Sequence, residues 1–239
     1  PYAQSPRPGL QHIRQAGEDW QAEKLHDLTD TFGANAIIGT ARITRSGETR
    51  YDATSLISVI RNAAHGQFLV ECQFDVRDGG AFQTALQIDT HQLLFGLDFG
   101  EVRPDIIEVA ASGTCSSSVA PDGSLSEIPA GDSRTQLRII DIKLTARPSQ
   151  GYFAEVAYYS MTLAGWLIDE GLDTDFVVVE DAAVWPGSHD ASNLVRVKRE
   201  IEDQNQTPTF DQLRDAMQED LEEVPFDVFV LFIRRFLQD

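Results

Sequence analysis

The sequence predicts an α/β fold: a central mixed β-sheet flanked by helices, followed by a helical C-terminal appendage. Three observations indicate this class. Apolar side chains recur at helical spacing through residues 10–32. From Gln67 onward, apolar runs of strand length are separated by Gly and Asp. A predicted helix, from about residue 152 to 170, lies between a predicted strand at 137–145 and an apolar run at 176–185, which favours a crossover onto a buried strand.

The N-terminal half is predicted to contain one long helix followed by several strands. The helix ends at Gly33, and Gln21 lies near the middle of its apolar arc with Glu18 at the edge of that arc. Residues 34–63 are expected to pair a short strand with a helix around 56–61. Further strands are predicted at 68–76, 82–89 and 104–111.

The C-terminal half is predicted to end in helices. Residues 111–135 are rich in turn formers, so we expect a long and mobile hairpin connection there. From residue 193 the sequence predicts helices with a break near Pro208. We therefore divide the chain into a domain at 1–192 and an acidic helical segment at 193–239. The apolar run 228–233 is too apolar for water, so it should pack on the core or form an interface with a protein partner or a second copy.

Composition restricts the function classes. The chain has 239 residues and is 42% hydrophobic, and 38 acidic residues against 19 basic ones give a net charge of −19. This charge argues against a protein that binds nucleic acid by overall charge alone. Two cysteines without CxxC spacing suggest neither a zinc site nor a disulfide framework. Because no apolar run approaches the roughly 18 residues needed to span a bilayer, we expect a cytoplasmic protein with no membrane partner.

Two acids and a lysine on the predicted strands form the candidate site. Asp141 and Lys143 stand two residues apart in an apolar strand, so they share one face of the sheet. Asp105 begins the preceding strand, and the two aspartates can meet if these strands are neighbours. Two convergent carboxylates repel unless a cation lies between them, which suits Mg²⁺. A lysine beside that metal could orient a bound water and help to deprotonate it, or stabilise charge on a phosphoryl group.

The helix that follows adds a further acid. Its predicted packed stripe includes Tyr159, and Glu155 lies on the flank of this stripe, one turn away. Glu155 can therefore face the same site as Asp141 and Lys143.

These segments resemble a known nuclease superfamily. "RPDIIEV", "RIIDIKL" and a helix with "EVAYYSMTL" are similar to the PD-(D/E)xK nucleases, most of all to the RecB-like branch. The resemblance implies a restriction-endonuclease-like core and Mg²⁺- or Mn²⁺-dependent hydrolysis of DNA phosphodiester bonds, in defence against foreign DNA or in DNA repair. It implies that Asp105, Asp141 and the backbone carbonyl of Ile142 hold the metal, that Lys143 is the catalytic lysine, and that Glu155 and Tyr159 form the helix pair.

The chain departs from the family pattern at three points. Glu155 stands where Gln is usual, and a carboxylate can also serve the metal or a nearby base. The family has an inward acidic residue in its first helix. Here Gln21 takes that inward position, which leaves Glu18 as the candidate acid. Two cysteines cannot build the four-cysteine Fe–S cluster of some RecB-like enzymes.

The remaining candidates are weaker. His91 could position a phosphate or bind the metal, although a structural role is the better interpretation. Glu71 and Asp75 alternate on one strand face, where both are most simply solvated, and Glu108 faces away from Asp105. A local basic path to DNA is predicted from arginines near the site, namely Arg42, Arg45, Arg50 and Arg147.

Two rival functions stay open. The first is a catalytically inactive nuclease-fold subunit that acts as a scaffold or a nucleic-acid-sensing module. The second is an unrelated acidic α/β binding protein, which predicts that Asp105 and Asp141 lie far apart.

Overall fold

The computed structural model describes residues 8–45, 47–88, 99–187 and 192–238. Its helices are α1 (Pro8–Phe32), α2 (Leu56–Val59), α3 (Ala81–Ala85), α4 (Gln150–Asp169), α5 (Asn193–Asp203), α6 (Phe210–Gln218) and α7 (Phe226–Gln238). Its strands are β1 (Ile37–Ile38), β2 (Thr40–Ile43), β3 (Thr49–Asp52), β4 (Thr54–Ser55), β5 (Gln67–Val70), β6 (Cys72–Asp75), β7 (Glu101–Val102), β8 (Ile106–Ala110), β9 (Ser117–Val119), β10 (Leu125–Glu127), β11 (Thr135–Lys143), β12 (Phe176–Val178), β13 (Ala183–Pro186) and β14 (Glu222–Glu223).

A mixed sheet forms the centre of the fold, as the sequence predicts. Its strand order is β1-β5-β8-β11-β13-β14, with β12 also paired to β11. β8 runs antiparallel to both β5 and β11, whereas β12 and β13 run parallel to β11. The parallel pairs require crossovers, and α4 provides the connection from β11 to β12. The predicted fold class is therefore confirmed.

Helices cover both faces of this sheet. One apolar cluster joins α2, α3, α4 and α7 to one face, through side chains such as Leu137 and Ile139 of β11. A second cluster joins α1, α5 and α6 to the other face, through Ile140 and Ile142 of the same strand. The two sets alternate along β11 because successive side chains of a strand point to opposite faces.

Two segments that the sequence predicts as single strands each form two shorter strands. The run 68–76 breaks at Glu71, whose φ of 51° lies in the left-handed region, so β5 and β6 belong to different sheets. The run 176–185 is interrupted between β12 and β13, which both pair with β11.

The strand predicted at 82–89 is wrong, because residues 81–85 form α3. Phe82 and Leu86 are both buried, and their spacing of four places them on one side of a helical turn. The carboxylate of Asp169 accepts a hydrogen bond of 2.9 Å from the N–H of Ala81 at the start of α3. This contact, which is remote in sequence, helps the short segment to adopt a helix.

The C-terminal segment packs on both faces of the core. α5 and α6 lie on the α1 side, β14 pairs with β13, and α7 packs against α4. The predicted break near Pro208 is present, since α6 begins after Thr209, which forms a capping box with Gln212. Within the described ranges, no helix combines the length and apolar character that crossing a bilayer requires.

The turn-rich stretch 111–135 contains the hairpin of β9 and β10, as expected from its composition. The hairpin contacts α7, because Arg234 lies 2.7 Å from the carboxylate of Asp122 in the turn.

Candidate metal and catalytic site

The register of β8 and β11 brings the two aspartates together. Ile140 pairs with Ile106 across the antiparallel ladder, so the next position on each strand places Asp141 opposite Asp105. The two side chains are close enough for the charge of Asp105 to raise the pKa of Asp141. Because opposite residues of a ladder share one face, both carboxyl groups lie on the α4 side of the sheet.

Asp105 directly precedes β8, and its side chain continues the hydrogen-bond ladder to β11. Its Oδ2 accepts a hydrogen bond of 2.6 Å from the N–H of Ile142. Its Oδ1 accepts one of 2.7 Å from Nε2 of Gln21, which projects from α1. A side chain held by two donors from different elements is fixed in orientation, as a metal ligand or a catalytic group requires.

Lys143 lies between two carboxylates. Its Nζ is 2.6 Å from Oδ2 of Asp141 and 3.2 Å from Oε2 of Glu155 on α4. The hydroxyl of Tyr159 donates a hydrogen bond of 2.8 Å to the other oxygen of Glu155, one helical turn away. The ammonium also lies 5.4 Å from the centre of the Tyr152 ring. The structure thus brings together Asp105, Asp141, Lys143 and the Glu155–Tyr159 pair.

Glu71 also belongs to this site, contrary to the expectation of a solvated side chain. It is buried, its Oε1 accepts a hydrogen bond from Nε2 of Gln21, and its Oε2 lies 3.2 Å from Nε of Arg103. The positive φ at Glu71 breaks the alternation on which the expectation depended. Asp75, by contrast, is exposed. An acid inside the apolar run "FLVECQF" is the signal that could have identified Glu71, and Arg103 precedes the Pro104-Asp105 motif directly.

Glu18 lies beside the site rather than in it. Its carboxylate pairs with Arg14 at 2.8 Å and lies 3.8 Å from Arg50, while the inward position on α1 belongs to Gln21. Gln21 is therefore the residue of α1 that contacts both Asp105 and Glu71. His91 lies outside the described residues.

The predicted basic path contains arginines that are already paired. Arg42 lies 2.9 Å from the carboxylate of Asp52, and Arg50 lies 2.5 Å from that of Asp19. Arg45 and Arg147 are exposed. Phosphate groups of a nucleic acid would have to compete with carboxylates for Arg42 and Arg50, which weakens the predicted path.

Burial and mutual repulsion raise the pKa values of the carboxyl groups. The pKa of Asp105 is raised to about 6, chiefly because burial removes its hydration; the hydrogen bond to Asp141 and the charge of Lys143 oppose this shift. Burial, and then the charge of Asp105, raises the pKa of Asp141. Burial also raises the pKa of Glu71, although Arg103 opposes the shift. When all of these carboxyl groups are ionised, the site therefore holds more negative charge than Lys143 and Arg103 neutralise.

Lys143 remains a cation in this environment. Burial by itself would lower its pKa, but the charges of Asp141, Glu155 and Asp105 outweigh burial and raise the pKa above its ordinary value. A lysine with a raised pKa acts as a hydrogen-bond donor and a positive charge, and not as a proton acceptor.

The oxygen atoms at Asp105 and Asp141 suit a divalent cation. Oδ2 of Asp141 is buried and receives no hydrogen bond of good geometry, although the Lys143 ammonium lies close to it. The N–H of Ile142 faces Asp105, and the N–H and C=O of one strand residue point to the same edge, so the Ile142 carbonyl faces Asp105 as well. The described residues hold no group of three His, Cys, Asp or Glu side chains arranged for a metal. Mg²⁺ commonly uses one or two carboxylates and keeps several waters.

An open cleft leads away from this site between α1 and the β2–β3 hairpin. It has a volume of about 300 Å³, and its lining includes Gln21, Glu71 and Arg103 together with Arg42 and Arg50. Gln21 connects this cleft to Asp105 by its hydrogen bond, although neither aspartate is among the lining residues.

No family model matches the sequence, and neither a search of curated proteins nor a search of solved structures finds a match.

Proposed function

We propose that this protein is a metal-dependent nuclease, RecB-like within the PD-(D/E)xK superfamily, which hydrolyses phosphodiester bonds of DNA. The observation that supports this most strongly is the register that places Asp141 opposite Asp105, with Nζ of Lys143 2.6 Å from Oδ2 of Asp141. Adjacent strands supply the two acids, the second strand supplies the lysine, and α4 supplies Glu155. This is the arrangement that the resemblance implies.

Each residue has a role that follows from its contacts. Asp105, Asp141 and the carbonyl of Ile142 would hold Mg²⁺ or Mn²⁺, which, when bound, activates a water and withdraws charge from the phosphate. Lys143, as a cation, orients the attacking water and stabilises negative charge on the phosphoryl oxygens. Glu155 holds the Lys143 ammonium in place, and Tyr159 fixes Glu155 in turn. Gln21 orients Asp105 and Glu71 together.

Substrate access would depend on local charge. Arg103 is about half exposed at the mouth of the cleft and pairs with Glu71, so it can also offer its guanidinium to a phosphate. With a net charge of −19 on the whole chain, binding to DNA should be weak and should fall steeply with salt. We therefore propose that a protein partner supplies further affinity for DNA, in a cytoplasmic role in defence or repair.

A second candidate is a nuclease-fold subunit without catalysis. The pairing of Arg42 and Arg50 with carboxylates on an acidic chain favours it, because fewer arginines are then available for DNA. This candidate predicts an intact fold and no hydrolysis under any metal condition.

Cleavage assays separate the two candidates. Purified protein is incubated with single- and double-stranded DNA and with RNA, in Mg²⁺, Mn²⁺ or EDTA. We expect cleavage of DNA that requires the metal, and Asp141→Asn or Lys143→Met should each reduce the rate by about 10²-fold or more. The matched control is Asp75→Asn, an exposed acid on β6, which should cleave like the wild type. Cleavage that survives in both site variants would contradict the proposal, and no cleavage by the wild type would favour the non-catalytic subunit.

Metal binding can be measured without activity. Mn²⁺ at 100 times its Kd should stabilise the folded chain by about 2.7 kcal/mol, because it binds only the folded state. Thermal unfolding should show this increase for the wild type and Asp75→Asn but not for Asp141→Asn. An equal increase in all three proteins would place the metal elsewhere.

A further inference from the structure

The outward face of α7 is apolar. Val228, Leu231, Phe232 and Phe236 are between 63 and 74% exposed, and their spacing of three, one and four residues places them along one side of the helix. The other large exposed apolar side chains of the described residues are scattered over separate elements, namely Ile13, Ile43, Ile57, Leu144 and Ile168. Scattered side chains need no explanation, but a stripe of four on one helix indicates an interaction surface.

Rotation of α7 about its own axis cannot bury this stripe. Its opposite face is already buried, through Phe226, Phe229, Val230 and Ile233. The Phe229 ring lies 5.7 Å from the ring of Phe153 on α4. α7 also contacts the turn between β9 and β10, where Arg234 pairs with Asp122. Gly123 of this turn lies so close to α7 that a Cβ on it would be 2.5 Å from Cγ1 of Val230. Rotation of α7 would expose as much apolar surface as it covered.

The charges along α7 favour an antiparallel arrangement of two such helices. Glu222, Glu223 and Asp227 lie before and at its start, whereas Arg235 lies near its end. Arg234, next to it, already pairs with Asp122 of its own chain. If two copies pair about a two-fold axis between Leu231 and Phe232, the acidic start of each helix meets the basic end of the other. A parallel pair would place like charges together.

We propose that the outward face of α7 binds a second copy of this chain in an antiparallel, two-fold helix pair. Leu231 packs against Phe232 of the second copy at the centre, and Val228 and Phe236 extend the contact on both sides. Asp227 lies next to Arg235 of the second copy at each end. A two-fold interface is self-complementary, so one apolar stripe with opposite charges at its ends is sufficient.

The net negative charge does not prevent this contact at physiological salt. The Debye length there is about 8 Å, so most charges on the two acidic bodies are screened from each other. The local pairs at the ends of α7 lie within that distance. α7 also packs on α4 near Phe153, two residues from Glu155, so the interface would support the helix that carries part of the candidate site.

Sedimentation equilibrium at physiological salt tests the proposal. We expect a weak dimer with a Kd on the order of 10 μM, so most chains should be dimeric at about 100 μM protein. Leu231→Glu with Phe232→Glu should weaken the dimer by about tenfold or more, because it buries unpaired charge at the centre of the contact. The control, Ile43→Glu, adds a charge at an equally exposed isoleucine of β2 and should leave the dimer intact. Circular dichroism verifies that each variant is folded.

Charge exchange tests the orientation without touching the apolar stripe. Asp227→Arg and Arg235→Asp should each weaken the dimer, and an equimolar mixture of the two variants should form a heterodimer, since opposite charges then meet at both ends. A wild-type monomer at about 100 μM protein, ten times the expected Kd, would overturn the proposal. An unchanged Kd in the double glutamate variant would overturn it as well.

Discussion

Asp105 and Asp141 face each other across neighbouring strands, and the charge of Asp105 increases the free energy needed to ionise Asp141. Lys143 reduces this energy without removing it, since the pKa values of both acids stay raised. Glu71 adds a further buried acid on the far side of Gln21. This excess of negative charge is the property that a divalent cation would neutralise.

This excess charge predicts how stability depends on pH. The pKa of Asp105 is raised from 3.8 to about 6, so between these values the folded chain holds protons that the unfolded chain releases. The free energy of unfolding of the metal-free chain should therefore fall as pH rises through this window, and Asp105 contributes its full penalty above it. Asp141→Asn removes one of the two charges. In EDTA the variant should be more stable than the wild type at pH 7, and this advantage should disappear at pH 4.

Thermal unfolding from pH 4 to pH 8 measures this difference. Asp75→Asn is again the control, because an exposed acid should leave the pH profile unchanged. A loss of stability in Asp141→Asn at pH 7, or a gain of equal size at pH 4, would contradict the electrostatic explanation.

At the scale of elements, α4 connects the site to the core. It carries Glu155 and Tyr159 near its start and packs on α3 near its end. Gly165 permits this packing, because a Cβ there would lie 2.8 Å from Cβ of Phe82 and 2.9 Å from the backbone N of Phe82. α3 is the element that local periodicity mistook for a strand, and its close contact with α4 explains why a short helix is stable there.

A pair of glycine variants tests the contact between α3 and α4. Gly165→Ala gains helix propensity worth about 1 kcal/mol, but overpacking against the α3 backbone costs about 1–3 kcal/mol, so we expect a net loss of stability. Gly151→Ala in the same helix has Ser149 Oγ as its nearest neighbour, at 3.6 Å, and should be neutral or stabilised by up to about 1 kcal/mol. Urea denaturation compares the two. An equal change in the free energy of unfolding for both variants would mean that α3 moves away from α4 without cost.

At the scale of the whole molecule, a buried ionic cluster joins the C-terminal segment to the sheet. Glu108 of β8 lies 2.6 Å from Arg214 of α6 and 3.5 Å from Arg138 of β11. Arg138 also donates a hydrogen bond of 2.6 Å to Gln218. Glu108 occupies the face opposite the candidate site, as the alternation of β8 predicts. The cluster therefore helps to hold α6 to the sheet without contributing to the proposed chemistry.

Breaking this cluster should destabilise the whole chain. Arg214→Met leaves the buried carboxylate of Glu108 without its closest partner, and removing one member of a buried ion pair costs about 3–5 kcal/mol. Because Arg214 is partly exposed, we expect a loss of about 2–4 kcal/mol in the free energy of unfolding. Arg196→Met, which breaks the exposed pair with Glu200, should change stability by less than about 1 kcal/mol. Similar small losses in both variants would show that α6 is held by apolar packing instead.

Relations between residues that are close in the chain could be predicted from the amino-acid sequence. The spacing of Asp141 and Lys143 placed them on one strand face, and the spacing of Glu155 and Tyr159 placed them one helical turn apart. The order of apolar segments determined the mixed α/β class, because helix and strand periodicities are set by neighbours in the chain.

Contacts between residues that are distant in the chain became visible in the folded structure alone. Glu71 enters the site because its backbone adopts a positive φ, and Gln21 becomes the link between Glu71 and Asp105 because α1 lies across the strand ends. Carboxylates on other elements neutralise the predicted DNA-binding arginines Arg42 and Arg50. These contacts depend on strand register and helix placement, which are set by the packing of the whole core and leave no periodic signal in the chain.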